Sequence, residues 1–355
     1  MTGPGRGSVP RGYARFRMPV GSSLLVHRRS AVVATVLLLF AATLAIVEIS
    51  TGTYDITPSG AFRALLGEGS DVDRFIVVDQ RLPRAAAALL VGAALGASGA
   101  IFQSVSRNPL GSPDIIGFTT GAATGGLAVI LLLGASTATT ILVGTLVGGF
   151  ATAAVVIALA VRRGATGDRL VLSGIAVAAM LAATNDYLVS RADIQDAEVA
   201  QAWQYGSLNA ISWAPLLPLA VVLVFAMPAA LVASRSLRIL ELGDDTAAAV
   251  GLRLVRARTV ALALGVCLAA IAVATTGPIG FLALAAPQLA RRVARSPGVT
   301  VLASAAMGAA ILVGADLLAQ RLLSPFQIPV GLVTAAVGGA YLVWMLALAP
   351  AHRSR

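Results

Sequence analysis

Residues 81–121 read RLPRAAAALLVGAALGASGAIFQSVSRNPLGSPDIIGFTTG, and this stretch decides the fold. Two arginines bracket a proline, an Ala/Gly-rich apolar run of helix length follows, and Arg107-Asn108-Pro109-Leu110 breaks it. Pro113-Asp114 then opens a second apolar run. Small residues this dense make a poor soluble helix, but they let membrane helices approach closely. The punctuation between the runs falls where a chain turns back at a membrane face.

The rest of the chain repeats the pattern. Of 355 residues, 57% are hydrophobic and only 12% charged, about half the charge of a soluble domain. Apolar runs near the roughly 20 residues that cross a 30 Å hydrocarbon core recur ten times. They lie at about 31–49, 84–105, 115–134, 138–161, 169–190, 213–233, 259–276, 281–295, 299–318 and 330–349, the eighth short and broken by Pro287. The expected fold is therefore an all-α polytopic membrane protein with about ten spans. Gly92/Gly96, Gly121/Gly125 and Gly144/Gly148 set small residues four apart, the spacing of close helix contacts.

All 26 basic residues are arginine. With the amino terminus inside and spans alternating, 20 of them fall on inner segments and 6 on outer ones, as the positive-inside rule requires. The +10 net charge thus reports orientation, with both termini inside, and gives no case for nucleic acid. Residues 1–30 read as a disordered basic tail, 31–349 as one membrane domain and 350–355 as a short inner tail. In the outer segment at about 50–83, Thr57-Pro58 starts a short surface helix. Trp203, Tyr205 and Trp213 suit the interfacial belt. The inner loop at 234–258 carries a short helix capped by Asp244 or Asp245 and ended by Gly251.

The chemistry is sparse. No Walker A pattern occurs, and without lysine none could. HExxH and GxSxG are absent, the lone Cys267 offers no disulfide, and His27 and His352 stand at opposite ends. No catalytic site or metal-ligand set is expected on the chain. Glu48, Asp186 and Asp316 fall near the outer ends of spans, where water would reach them. A carrier coupled to protons or sodium would need a deeper carboxylate, which weighs against secondary transport.

Arg81-Leu82-Pro83-Arg84, Gly99 to Gln103, Arg107-Asn108-Pro109-Leu110, Pro113-Asp114, Leu172-Ser173-Gly174 and Gly206-Ser207-Leu208 occur in order. Leu242-Gly243-Asp244 to Leu252, Gly277-Pro278-Ile279-Gly280-Phe281, Ala315-Asp316 and Pro329 to Thr334 follow. Together they resemble the FecCD-type permeases of ABC importers for iron–siderophores, haem and cobalamin, across roughly residues 31–349. The resemblance implies the type II importer architecture: ten helices per permease and a second permease copy or paralogue forming the path. It further implies two cytoplasmic ATPases carrying ATP-Mg, an extracytoplasmic binding protein, and a bacterial cytoplasmic membrane. The implied cargo is an iron chelate, most simply a ferric siderophore, with haem or cobalamin as alternatives.

The resemblance assigns Glu241, Leu242, Gly243, Asp244, Asp245, Ala248 and Gly251 to ATPase coupling. Arg107, Asn108, Pro109, Gly277, Pro278 and Gly280 become helix-break motifs. Arg63 and Arg321 become candidates for docking the binding protein. The chain departs from the family's usual residues at Gln288, Gln320, Gln327 and Ala340.

Overall fold

The computed structural model describes residues 13–17, 23–52, 54–134, 137–161, 167–209, 211–324 and 326–347. Ahead of the bundle, β1 (Tyr13–Arg17) and β2 (Ser23–His27) pair antiparallel, Tyr13 opposite His27. This part of the expected disordered tail is therefore drawn as a ribbon. Both runs carry aromatic or branched residues that suit strands. The rest of that tail, and residues 350–355, lie outside the described residues.

The helices follow in order: α1 (Arg28–Ser50), α2 (Pro58–Leu65), α3 (Asp71–Arg74), a π-helical segment (Phe75–Arg81) and α4 (Leu82–Ser106). Next come α5 (Phe118–Leu133), α6 (Ala138–Val161), α7 (Gly167–Arg191), α8 (Ile194–Gln204) and α9 (Trp213–Leu240). The series ends with α10 (Asp244–Ala249), α11 (Leu254–Thr276), α12 (Leu282–Ala294), α13 (Val301–Arg321) and α14 (Val330–Ala347). Among the described residues, seven helices are long and apolar enough to cross a membrane, and α5 and α14 are shorter apolar helices. The expected eighth span is the 13-residue α12.

One start differs from expectation. The second span begins well before Arg84, because α3 and the π segment run straight into α4. Pro83 has no N–H to return to the preceding turn, and the wide register there, with Leu82 N–H bonded to Val77 O, absorbs the mismatch. The surface helix α2 forms as expected, Thr57 Oγ1 accepting from Gly60 N–H at 3.2 Å. Of the three aromatics, Trp203 packs inside against Ala122, Ala123 and Gly126, whereas Trp213 Nε1 donates to Val78 O at 3.0 Å.

Helix α4 is the axis of the bundle: 78% of its apolar window is buried, against 17% for α7. Lipid tails are as apolar as leucine, so packing rather than the hydrophobic effect must hold α4 in place. A Cβ added at Gly92 would lie 2.5 Å from Gly308 O of α13, and one at Gly96 would strike Ser304 O. Gly125 of α5 meets Gly144 and Gly148 of α6 in the same way. Ser98 Oγ donates to Gly265 O of α11 at 2.7 Å, tying a third helix to the axis.

Gly96→Leu therefore forces α4 and α13 apart, at about 1–3 kcal/mol or more for overpacking. Gly339→Ala, with no atom within 4 Å, should leave stability unchanged. Cys267 is the only cysteine and is half-buried in α11, so thiol labelling during a thermal ramp in detergent reads both variants. An unaltered midpoint for Gly96→Leu would refute the packing account.

Candidate functional site

Three places carry polar structure: the arginine-rich end around α10, the breaks that abut α12, and the opposite end around Arg84.

At the arginine-rich end, Leu240 ends α9 and Gly243 caps α10 with φ 100°. The cap is thus Gly243 rather than an aspartate. Asp244 and Asp245 sit in the first turn, where the helix dipole favours negative charge. Gly251, at φ 83°, closes the far end, with its N–H on Ala248 O and that of Leu252 on Ala247 O. One side of this segment is fastened. Asp244 Oδ1 accepts from Arg258 Nη2 at 2.6 Å and lies 3.5 Å from Arg107 Nη2. Glu241 Oε1 accepts from Ser104 Oγ at 2.6 Å and from Val299 N–H at 3.4 Å. The other side is bare: Leu242 is 65% and Val250 66% exposed, with Asp245 and Ala248 exposed beside them.

The break motifs do separate jobs. Arg107 ends α4 in the left-handed region, φ 53°, and Asn108 Oδ1 accepts from Leu110 N–H at 2.9 Å. Pro109 O accepts from Gln288 Nε2 at 2.8 Å, and Gln103 Nε2 donates to Leu284 O at 3.0 Å. Gln288, a departure from the family residue, is therefore one of two amide ties from α4 and its loop to α12. Gly277, at φ 75°, is sterically required, because a Cβ there would strike Trp203 O. Gly280 is not, since nothing lies within 4 Å. Pro278 follows Gly277 against Gly206, and Ser207 N–H bonds Thr276 O at 2.8 Å. Gly331 N–H bonds Gly206 O at 2.9 Å, so motifs separated by 125 residues in the chain meet at one junction.

Asp114 escaped attention beyond its place in a turn. Its Oδ2 is buried without a hydrogen-bond partner, and burial pushes its pKa up to about 6 against the opposing pull of Thr119 and of the Phe281 backbone at the start of α12. Among the described residues, no group of three His, Cys, Asp or Glu side chains could hold a metal ion.

The opposite end overturns one expectation. Glu48 and Asp316 are not water-accessible: they are 2% and 0% exposed. Arg84 reaches between them, its Nε and Nη2 donating to Asp316 at 2.7 and 3.0 Å and its Nη1 to Gln327 Oε1 at 2.8 Å. Glu48 lies 3.9 Å from Arg84 Nε, and Gln320 Nε2 bonds both carboxylates at 3.3 and 2.9 Å. Gln320 and Gln327, both departures from the family pattern, thus complete one buried network joining α1, α4, α13 and the approach to α14. A cavity of about 580 Å³ opens beside it, lined by Tyr54, Asp79, Arg81, Arg84, Leu208 and Gln327 among others. Asp186, by contrast, is exposed on α7, and Asn185 is buried next to it.

The docking candidates stand at this same end. Arg63 pairs with Glu68 at 3.4 Å with both side chains over 60% exposed, a pair of small worth that a partner could displace. Arg321 Nη2 donates to Thr51 Oγ1 at 2.5 Å, which fastens α13 to the end of α1.

Removing one partner from a buried ion cluster strands the others, at about 3–5 kcal/mol. Arg84→Met should therefore lower the thermal midpoint sharply, and adding Glu48→Gln with Asp316→Leu should restore much of it. Equal stability of Arg84→Met and wild type in the thiol assay would contradict the network.

Residues 36–347 match the FecCD transport family. The ferric enterobactin transport system permease protein FepG of Escherichia coli K12 is 44% identical over 298 residues, 84% of this chain and 90% of that one. The iron(3+)-hydroxamate import system permease FhuG of Bacillus subtilis is 34% identical, over 84% of this chain and 92% of that one. The hemin permease HmuU of Yersinia pestis is 33% identical, over 81% and 87%. A solved inward-facing metal-chelate type ABC transporter superposes with a TM-score of 0.78 at 28% identity, covering 89% of this chain and 99% of that one. With its apolar helices, its ordered break motifs and this match, the chain belongs to the FecCD transport family of membrane permeases.

Proposed function

We propose that the chain is one of two permeases in an ATP-driven importer of the bacterial cytoplasmic membrane, moving a ferric siderophore inward by alternating access. It has no catalytic site of its own: ATP-Mg is bound and hydrolysed by two cytoplasmic ATPase subunits, and an extracytoplasmic binding protein delivers the cargo. The carrying observation is the two-sided build of the α10 segment. Its bare side offers Leu242, Asp245, Ala248 and Val250 to a partner. Its fastened side leads through Asp244 to Arg107 and Arg258, and through Glu241 to Ser104 and Val299. A push on α10 therefore reaches the ends of α4, α11 and the approach to α13 together. The arginine bias supports a cytoplasmic position for this end and for both termini.

Helix α7 supports the second permease. Leu172, Met180 and Tyr187 are more than 60% exposed there, and Asp186 stands on the same uncovered helix. An ionisable residue within a span faces protein or a water-filled path rather than lipid. A second copy or paralogue, with the path between, satisfies that requirement. The siderophore assignment rests on the higher identity of the enterobactin relative than of the hemin one. The buried carboxylates are bound into the Arg84 network, which suits a structural tie better than an ion-coupled carrier.

Asp245→Arg with Ala248→Arg alters only exposed positions of α10. Uptake of radiolabelled ferric siderophore should fall by about tenfold or more, on the scale of a disrupted interface hot spot. The thermal midpoint should stay at the wild-type value. Undiminished uptake would remove α10 from the ATPase interface. In the reconstituted complex, ferric siderophore should stimulate ATP hydrolysis and haem should not; stimulation by haem alone would reassign the cargo.

A further inference from the structure

At the arginine-rich end, the start of α1 and the end of α12 enclose a groove of about 380 Å³ lined by Arg28, Arg29, Val32, Val33, Val293 and Arg295. Two helices far apart in sequence thus bring three exposed guanidinium groups to one place. Among the described residues, none of the three has a carboxylate or aromatic partner. Neighbouring Arg292 differs, lying 5.7 Å over the rings of both Tyr341 and Trp344. Arg295 is held in the left-handed region, φ 46°, with its N–H on Arg292 O, which fixes where its side chain leaves α12.

The charge is oddly placed for a helix. Arg28 and Arg29 occupy the first turn of α1, where unpaired N–H groups and the helix dipole already present positive charge, and no acidic residue offsets them. Three mutually repelling cations at a helix start call for an anion. The groove's floor is apolar, and it continues along α1 as Val32, Val36 and Leu39, which are 62%, 58% and 64% exposed. That i, i+4, i+7 spacing is a single stripe running from the charged groove into the membrane.

The geometry points to a binding site for one anionic phospholipid, its phosphate held by Arg28, Arg29 and Arg295 and an acyl chain laid along Val32, Val36 and Leu39. A free phosphate would use the arginines and leave the stripe uncovered. Basic pockets between membrane helices on the cytoplasmic side recognise anionic headgroups by the same chemistry. The site stands on the membrane placement of the bundle and needs neither the ATPase nor the cargo assignment.

The test is native mass spectrometry of the full chain equilibrated with equal amounts of phosphatidylglycerol and phosphatidylcholine. Wild type should retain phosphatidylglycerol with a preference of about tenfold or more. The combined variant R28Q/R29Q/R295Q should fall to near parity. R235Q/R253Q/R256Q removes equal charge from the same end and should keep the preference. Excess inorganic phosphate should leave the lipid bound. Parity in wild type, a preserved preference in the groove variant, or equal loss in the charge-matched variant overturns the site. Displacement by phosphate overturns it in favour of a small-anion site.

Discussion

Everything in this molecule depends on how closely α4 can approach its neighbours. Water drives no association once helices lie in hydrocarbon, so contact between backbones has to do the work. Gly92 and Gly96 against Gly308 and Ser304 bring α4 and α13 together, and Ser98 holds α11 to the same axis. From that axis hang both polar ends: Arg84 at its beginning, Ser104 and Arg107 at its finish. One tightly seated helix therefore connects the buried ion network to the α10 segment.

The spans and their punctuation were legible because hydropathy and helix breakers are local signals. The Gly pairs at four-residue spacing fell where backbones touch, and Thr57 capped α2 as its position before a proline implied. What stayed hidden depended on partners distant in the chain. Glu48 and Asp316 looked like ends wetted by solvent, since nothing nearby in sequence neutralises them; Arg84 is 232 residues from Asp316. Gln288, Gln320 and Gln327 read as departures from a family pattern and turned out to be hydrogen-bonding members of the structure. The aspartate cap of α10 failed for a local reason, because a glycine at positive φ took the cap position first. The π segment was beyond reach, since a proline at that site announces a helix start more readily than a widened turn.

The two ends are built on different principles. Around Arg84, two buried carboxylates are tied to one guanidinium within the chain, which couples helices α1, α4 and α13. Around α10, ionic contacts are partly exposed, Asp244 at 35% and Arg107 at 36% in their side chains, and can exchange partners at small expense. Rigidity at one end and adjustable contacts at the other is what a lever needs.

Helix α12 has a further consequence, a steric one. Thirteen residues rise about 20 Å, a third short of the usual hydrocarbon thickness. The difference is made up by the irregular chain at Gly277–Phe281, which is held at its ends by Ser207 N–H on Thr276 O, Gly277 N–H on Val273 O and Leu282 N–H on Gly280 O. Phe281 closes the gap by lying directly over Gly338 of α14. Any side chain at position 338 would strike Phe281, so the meeting of the start of α12 with α14 is set by one glycine.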